Sequence, residues 1–308
     1  FIGLRQMKKH IAILLIFFSI NTFPQTDPMF TQYMYNTLFL NPGSAGFAHN
    51  SDSSIEIGNI ARHQWVGIDG APVSDILWFQ SPFYPLNSGI GALLIYDKAG
   101  PLTSYAVNFD FSLHIKLGNG IMGIGPGLGM IANDLIGKML KTNEIDPILP
   151  KGNVTDINYN LDAGIFYKNP WIFTGISALH ILPEQTYNFS NYAGNKTVFQ
   201  IPRHFYFITG FVINFDKRIC MIPSFMVKTA TSVVQSEIST IFYFNQKLNV
   251  GVSYRQLESV SFIVGYNFFG SSSLHIDYAY DRITNELRTV ATHSHEFLVT
   301  WSIPVKRG

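Results

Sequence analysis

Thr103-Ser104-Tyr105-Ala106-Val107-Asn108-Phe109-Asp110-Phe111-Ser112-Leu113-His114-Ile115-Lys116-Leu117 alternates without a break. Tyr105, Val107, Phe109, Phe111, Leu113 and Ile115 fall on one face, and Ala106, Asn108, Asp110, Ser112, His114 and Lys116 on the other. A period of two marks a β-strand whose two faces meet different surroundings. The stretch runs into Gly118-Asn119-Gly120, a tight-turn sequence. Outward from it the pattern repeats, giving fourteen strands at 53–61, 72–83, 88–97, 103–117, 119–135, 157–168, 170–182, 200–216, 218–229, 234–245, 247–256, 258–269, 272–282 and 295–305.

The connections are sorted. Every second one is tight: Leu86-Asn87-Ser88, Gly118-Asn119-Gly120, Lys168-Asn169-Pro170, Asp216-Lys217-Arg218, Asn245-Gln246-Lys247 and Gly270-Ser271-Ser272. Most of the others are longer, at 62–71, 136–156, 183–199 and 282–295. Short turns on one side and long loops on the other are the habit of bacterial outer-membrane barrels. The apolar faces are too aromatic, and the opposite faces too rich in Gly, Ser and Asn, for a solvated outer surface. The expectation is therefore an all-β, antiparallel transmembrane β-barrel of about 14 strands, apolar outside and polar inside, embedded in the lipid bilayer of the outer membrane. An even strand number places both termini in the periplasm.

Composition agrees. Charged residues make up only 13% of the 308 residues and aromatics 15%, against roughly 25% charged in an ordinary soluble domain. A net charge of +1 without a long basic run argues against nucleic acid as a partner. The single Cys220 excludes an internal disulfide and any Cys-based zinc site.

Lys8-Lys9-His10 followed by the apolar run Ile11–Ile20 reads as a secretory signal, with residues 1–6 upstream of a start at Met7 and cleavage between Thr22 and Gln25. The chain divides into a signal peptide (1–24), an N-terminal periplasmic segment or plug helix (25–52) and the barrel (53–308). Asp27 as N-cap and Pro28 at the first helical position open a short amphipathic periplasmic helix over 28–40. Phe30, Tyr33, Met34, Thr37 and Leu38 line one face of it, and Asn41-Pro42 stops it. Asp27, Pro28, Phe30, Tyr33, Met34 and Leu38 are the expected plug residues, closing the periplasmic end. Glycines at 123, 125, 127 and 129 would leave room on the inner wall.

No catalytic, cofactor or metal motif emerges. The glycine run lacks the spacing and context of a nucleotide loop. His293-x-His295 is a weak metal signal without matching carboxylates, and Asp52, Asp69, Asp97 and Asp156 lack EF-hand spacing. His180, His204, His275 and His293 leave a hydrolase open, but no local motif supports one. The inward charges are Asp110, His114, Lys116, Asp162, Glu237, Lys247, Arg255, His275, Asp277 and Glu296. They are of both signs and are expected to pair across the lumen or hold a plug.

Gln25-Thr26-Asp27-Pro28-Met29-Phe30-Thr31-Gln32-Tyr33-Met34-Tyr35-Asn36, continuing through Leu40-Asn41-Pro42-Gly43-Ser44-Ala45-Gly46, resembles the opening of the PorP/SprF family of the type IX secretion system. Arg62-His63-Gln64-Trp65-Val66-Gly67-Ile68-Asp69-Gly70-Ala71-Pro72 and the segment 89–101 are similar to it as well. The resemblance implies a non-enzymatic outer-membrane barrel, linked to gliding or adhesin export. It implies as partners other type IX secretion components and a large secreted or surface protein with a C-terminal secretion domain. The long loops are then the expected partner site, with Arg62, Gln64, Trp65 and Asp69 as its candidate residues. The alternatives are a small-solute channel of the fatty-acid-porin kind and an outer-membrane hydrolase.

Overall fold

The computed structural model describes residues 27–48, 54–136, 152–182, 186–190, 196–230, 233–269 and 273–305. The expected signal peptide, its cleavage site, most of the 136–156 loop and part of the 183–199 loop lie outside the described residues.

The strands are β1 (Ser54–His63), β2 (Val73–Phe83), β3 (Ser88–Ala99), β4 (Leu102–Leu117), β5 (Gly120–Ile136), β6 (Asn153–Lys168), β7 (Ile172–Leu179), β8 (Thr186–Ser190), β9 (Lys196–Gln200), β10 (His204–Phe211), β11 (Ile213–Asn214), β12 (Ile219–Ala230), β13 (Val233–Phe244), β14 (Leu248–Arg255), β15 (Ser259–Phe268), β16 (Ser273–Ile283) and β17 (His293–Pro304). β1 to β7 pair in sequence order, β7 joins β10, β10 joins β12, and the ladder runs on to β17. β17 returns to β1 over Ser54↔Pro304 to His63↔His295, so the sheet closes. All pairs are antiparallel, and fourteen strands form the wall. β8 and β9 form a separate hairpin in a loop, and the short β11 continues β10 along β12.

Closure has a physical cause. A sheet in hydrocarbon cannot leave an edge of unpaired N–H and C=O groups, so only a complete ring is stable there. Tight turns set the register at one end. Gly118 and the pair Asn245-Gln246 adopt positive φ, which matches the twist of adjoining strands in a hairpin. At the other end lie the connections 64–72 and 284–292 and the longer ones after β5 and β7, mixed with short ones at 100–101 and 256–258 and after β12.

The outer face is apolar along its length. Leu94, Phe109, Leu128, Ile176, Phe262 and Phe297 are more than half exposed. Between them lie the buried inner residues, as where Asp110, Gly127 and Asp162 stand side by side across β4, β5 and β6. The inner face is less uniformly polar than its alternation suggests. Ile60, Ile76, Trp78, Leu93, Ile208, Met226, Ile241, Ile263 and Leu298 also point inward and are buried. They pack against Phe30, Tyr33, Met34, Tyr35, Leu38, Phe39, Leu40 and Phe47 in a single cluster.

The hydrophobic core therefore lies inside the barrel, and residues 27–48 supply much of it. Two expectations are corrected here. The helix expected over 28–40 is one turn, α1 (Thr37–Leu40), capped by the Asn36 side chain, with residues 31–35 in turns before it. The segment is also no periplasmic extension. It runs through the lumen from Asp27, near the long-loop end, to Ala48, whose carbonyl accepts from Lys168 Nζ (3.1 Å) at the short-turn end. A helix with one apolar face needs solvent on the other, and this segment has none. Thr31, Gln32, Tyr35 and Asn36 are as buried as Tyr33 and Leu38, and the backbone N–H groups of Thr31 and Gln32 bond Glu296 on the wall instead of completing a helix.

Phe109, at mid-strand on the outer face, gives a direct check on orientation. Phe109→Arg is expected to cost about 2–4 kcal/mol in lipid vesicles, and Leu117→Arg, at the strand end, about 0–1 kcal/mol. Equilibrium unfolding of the two variants measures the difference.

Candidate functional site

The lumen segment bonds the wall through Asp27, Thr31, Tyr33, Tyr35 and Asn41, while the buried Gln32 side chain has no hydrogen-bond partner among the described residues. At the long-loop end, Thr31 N and Gln32 N donate to the two carboxylate oxygens of Glu296 on β17 (2.9 and 2.8 Å). Thr31 Oγ1 donates to Asp281 on β16 (3.0 Å) and accepts from Arg62 Nη1 (3.1 Å) and Arg255 Nη2 (3.3 Å). Arg62 reaches Asp281 at 2.6 Å and Glu296 at 2.8 Å, while Arg255 bonds Glu237 at 2.8 Å and Glu258 at 3.0 Å. One threonine thus sits at the centre of two arginines and four carboxylates. Charge-assisted bonds in a site away from water are among the strongest a protein makes, and breaking one partner is correspondingly costly.

Midway along, the Tyr33 hydroxyl pairs with Ser224 Oγ (3.0 Å), and Tyr35 OH accepts from Tyr243 OH (2.8 Å) and Asn249 Nδ2 (3.2 Å). Asn41 Nδ2 donates to the carbonyls of Ile165 and Ile176 on β6 and β7 (3.0 and 3.1 Å). Nearer the short turns, Ser112 Oγ donates to Gly43 O (2.8 Å), and His114 Nε2 lies 2.9 Å from Ala45 O. Glycine makes this approach feasible: a Cβ on Gly89 or Gly123 would meet the carbonyls of Ala45 and Gly43, and one on Gly164 the Asn41 side chain. Gly127 and Gly129 instead make room for the wall's own Asp110 and Asn108 side chains.

The head of the segment is Asp27. His180 Nε2 lies 2.9 Å from its Oδ1, His204 Nδ1 contacts its Oδ2, and Lys228 Nζ donates to its carbonyl (2.9 Å). The two imidazoles thus face both oxygens of the Asp27 carboxyl. A cavity of about 50 Å³ adjoins it, lined in part by Asp27, Asp97, Asn108, Asp162 and His180.

The sequence-derived residues distribute unevenly. Phe30, Tyr33, Met34 and Leu38 are buried in the lumen, and Asp27 and Pro28 lie at its long-loop end. Arg62 does not belong to a surface: it follows Gly58 and Ile60 on the inward face of β1, with only 1% of its area exposed. Reading the first strand as ending at 61 hid that inward turn. Gln64, Trp65 and Asp69 do lie in the loop after β1. Trp65 is half-buried with φ of +53°, its N–H donating to Ser294 Oγ (3.0 Å), and Val66 N–H donates to His293 O (3.0 Å). Gln64 Nε2 reaches Glu258 (3.4 Å), and Asp69 is exposed. His114 and His275, on β4 and β16, are held by separate partners, His275 between Asn267 (2.6 Å) and Asp277 (2.9 Å). The grouping of Asp27 with His180 and His204 has no sequence signal, because more than 150 positions separate Asp27 from either histidine.

An apolar outer face, a closed antiparallel wall and a lumen occupied by the chain's own N-terminal segment define an outer-membrane-type β-barrel. Residues 22–301 match the model of the type IX secretion system membrane protein PorP/SprF family, and the chain belongs to that family. No curated protein matches it in sequence. In fold it is similar to a FadL homologue of Pseudomonas aeruginosa, with a TM-score of 0.53 and 12% identity over 88% of this chain and 94% of that one. It is similar also to the CymD monoaromatic hydrocarbon channel, with a TM-score of 0.52 and 10% identity over 92% and 95%.

Arg62 tests how the segment is anchored. Arg62→Met leaves Asp281 and Glu296 facing each other and is expected to cost about 3–5 kcal/mol. Neutralising the acids too, in Arg62→Met/Asp281→Asn/Glu296→Gln, should restore much of it. Urea titration of the heat-modifiable band on gels measures both.

Proposed function

We propose that this barrel is a type IX secretion accessory that holds a secreted partner protein at its long-loop end. Family membership supplies the secretion role. The filled lumen is the observation that favours a docking platform over a conduit, because the path through the barrel is taken up by residues 27–48. In this reading the barrel does no chemistry; it binds the C-terminal secretion domain of a large surface or adhesin-like protein beside other secretion components.

The loop after β1 is suited to that task. Val66 bonds His293, and Gly70 O accepts from Gly100 N–H (2.9 Å), so the loop is tied to its neighbours on both sides. It still presents Val66, Asp69 and, across from it, Val290 to solvent. A loop ordered before binding loses less entropy on docking. Gln64, Trp65 and Asp69 are the candidate contacts, and Arg62 acts from beneath by anchoring the plug. The solute-channel alternative rests on likeness to FadL-type barrels, which concerns the fold.

Trp65→Ala with Asp69→Ala is expected to lower recovery of the secreted partner in pull-downs from outer membranes by tenfold or more. The barrel should remain heat-modifiable. Unchanged partner recovery from folded barrel would count against the loop as the docking site.

A further inference from the structure

We infer that Asp27, His180 and His204 form a binding site for one divalent transition-metal ion, of the zinc type, that fastens the head of the lumen segment to the wall. Among the described residues this is the one group of three such side chains whose donor atoms all lie within 4.8 Å of one another. The three come from separate parts of the chain: the segment's head, the end of β7 and the start of β10. Two imidazoles and one carboxylate with room for water is a recurrent zinc ligand set.

The hydrogen bonds around His180 carry the inference furthest. Asp162 on β6 accepts from Asn108 Nδ2 (2.8 Å), from Asn160 Nδ2 (2.8 Å) and from the backbone N–H of His180 (2.9 Å). A carboxylate receiving those donors turns the Asn160 amide nitrogen towards itself, so Asn160 Oδ1 faces His180. Asn160 Oδ1 is 2.8 Å from His180 Nδ1, which must therefore carry the ring proton and donate. In the neutral ring Nε2 is then a bare lone pair, and it points at Asp27 Oδ1 from 2.9 Å. A ring nitrogen and a carboxylate oxygen at this distance share a cation: a proton on the ring, with Nε2–H donating to Asp27, or a metal ion that takes the proton's place. An outer oxygen that takes the Nδ1 proton and so presents Nε2 is also how metal-binding histidines are oriented.

The surroundings suit a cation. Asp97 and Asp162 line the adjoining cavity, and its volume of about 50 Å³ gives space for a water as a fourth ligand. Lys228, on the Asp27 carbonyl, is the opposing positive charge, and Tyr206 OH lies 3.5 Å from Asp27 Oδ2. Donors on a tetrahedral ion bound at about 2.0–2.1 Å sit roughly 3.4 Å apart, and donors already within 4.8 Å of one another need to close by no more than about 1.4 Å. Neither His293 nor His295 offers an equivalent site. Their rings lie 4.9 Å apart, but among the described residues they belong to no group of three ligand atoms within 4.8 Å of one another.

The test uses the full chain, without a histidine tag, purified in detergent, stripped with a chelator and titrated with Zn²⁺ by calorimetry and Co²⁺ by visible absorption. One Zn²⁺ per chain at micromolar affinity or tighter, a Co²⁺ d–d band and a raised thermal midpoint on adding Zn²⁺ are expected. His180→Ala and His204→Ala should each weaken Zn²⁺ binding at least 100-fold. Asn160→Ala, which leaves all three ligands in place, should weaken it about 10–100-fold. His293→Gln/His295→Gln should bind as the native chain does. Absence of saturable Zn²⁺ binding by the folded native chain would overturn the assignment. So would binding that survives in folded His180→Ala and His204→Ala chains, or that is lost in the His293→Gln/His295→Gln chain. If both alanine variants fail to fold, the Asn160→Ala titration decides: unchanged affinity there overturns the site.

Discussion

A closed wall of fourteen strands is too wide to be filled by its own side chains. Eight strands leave an interior that side chains just fill, and diameter grows with strand number. This barrel meets the excess width by threading residues 27–48 through the lumen, and the rest of the structure follows from that. Apolar inward residues such as Trp78 and Ile208 have something to pack on, and inward charges can be buried because the segment brings partners to them. Thr31 is the clearest case, since Arg62, Arg255, Asp281 and Glu296 all converge on it. Without the segment, those groups would face water, and the inner apolar patch would be exposed.

Much of this was legible in the sequence. The period of two in 103–117 assigned each residue of β4 to its face, and Phe109 and Asp110 lie on the sides it gave them. All fourteen wall strands are legible because each carries the same alternation and tight turns join them in pairs at one end. The lumen contents were harder. The spacing of Phe30, Tyr33, Met34 and Leu38 fits a helical face, yet only Thr37–Leu40 is helical. Periodicity reports which residues are apolar, and it cannot report that the polar ones between them are also enclosed. The inward position of Arg62 escapes the sequence for a related reason. A charged residue at a strand end reads as a loop residue unless its acidic partners, more than 200 positions away, are known.

The same geometry bears on function. A loop bonded to both neighbours, as 64–72 is, offers a fixed surface above a lumen already occupied. The segment's anchors are distributed: the arginine network and Asp27 near the long loops, Asn41 at the middle, and Ala45 and Ala48 near the short turns. A partner at the long-loop end would lie over the arginine network and the Asp27 cluster, so docking and the seating of the segment are neighbouring events.

Residues 27–48 fill the lumen, and ion conductance measures that directly. The intact barrel reconstituted in planar bilayers should pass no steady wide-pore current, whereas a chain lacking residues 27–42 and still migrating as a folded barrel should conduct. An intact, folded barrel that conducts as an open pore would contradict it.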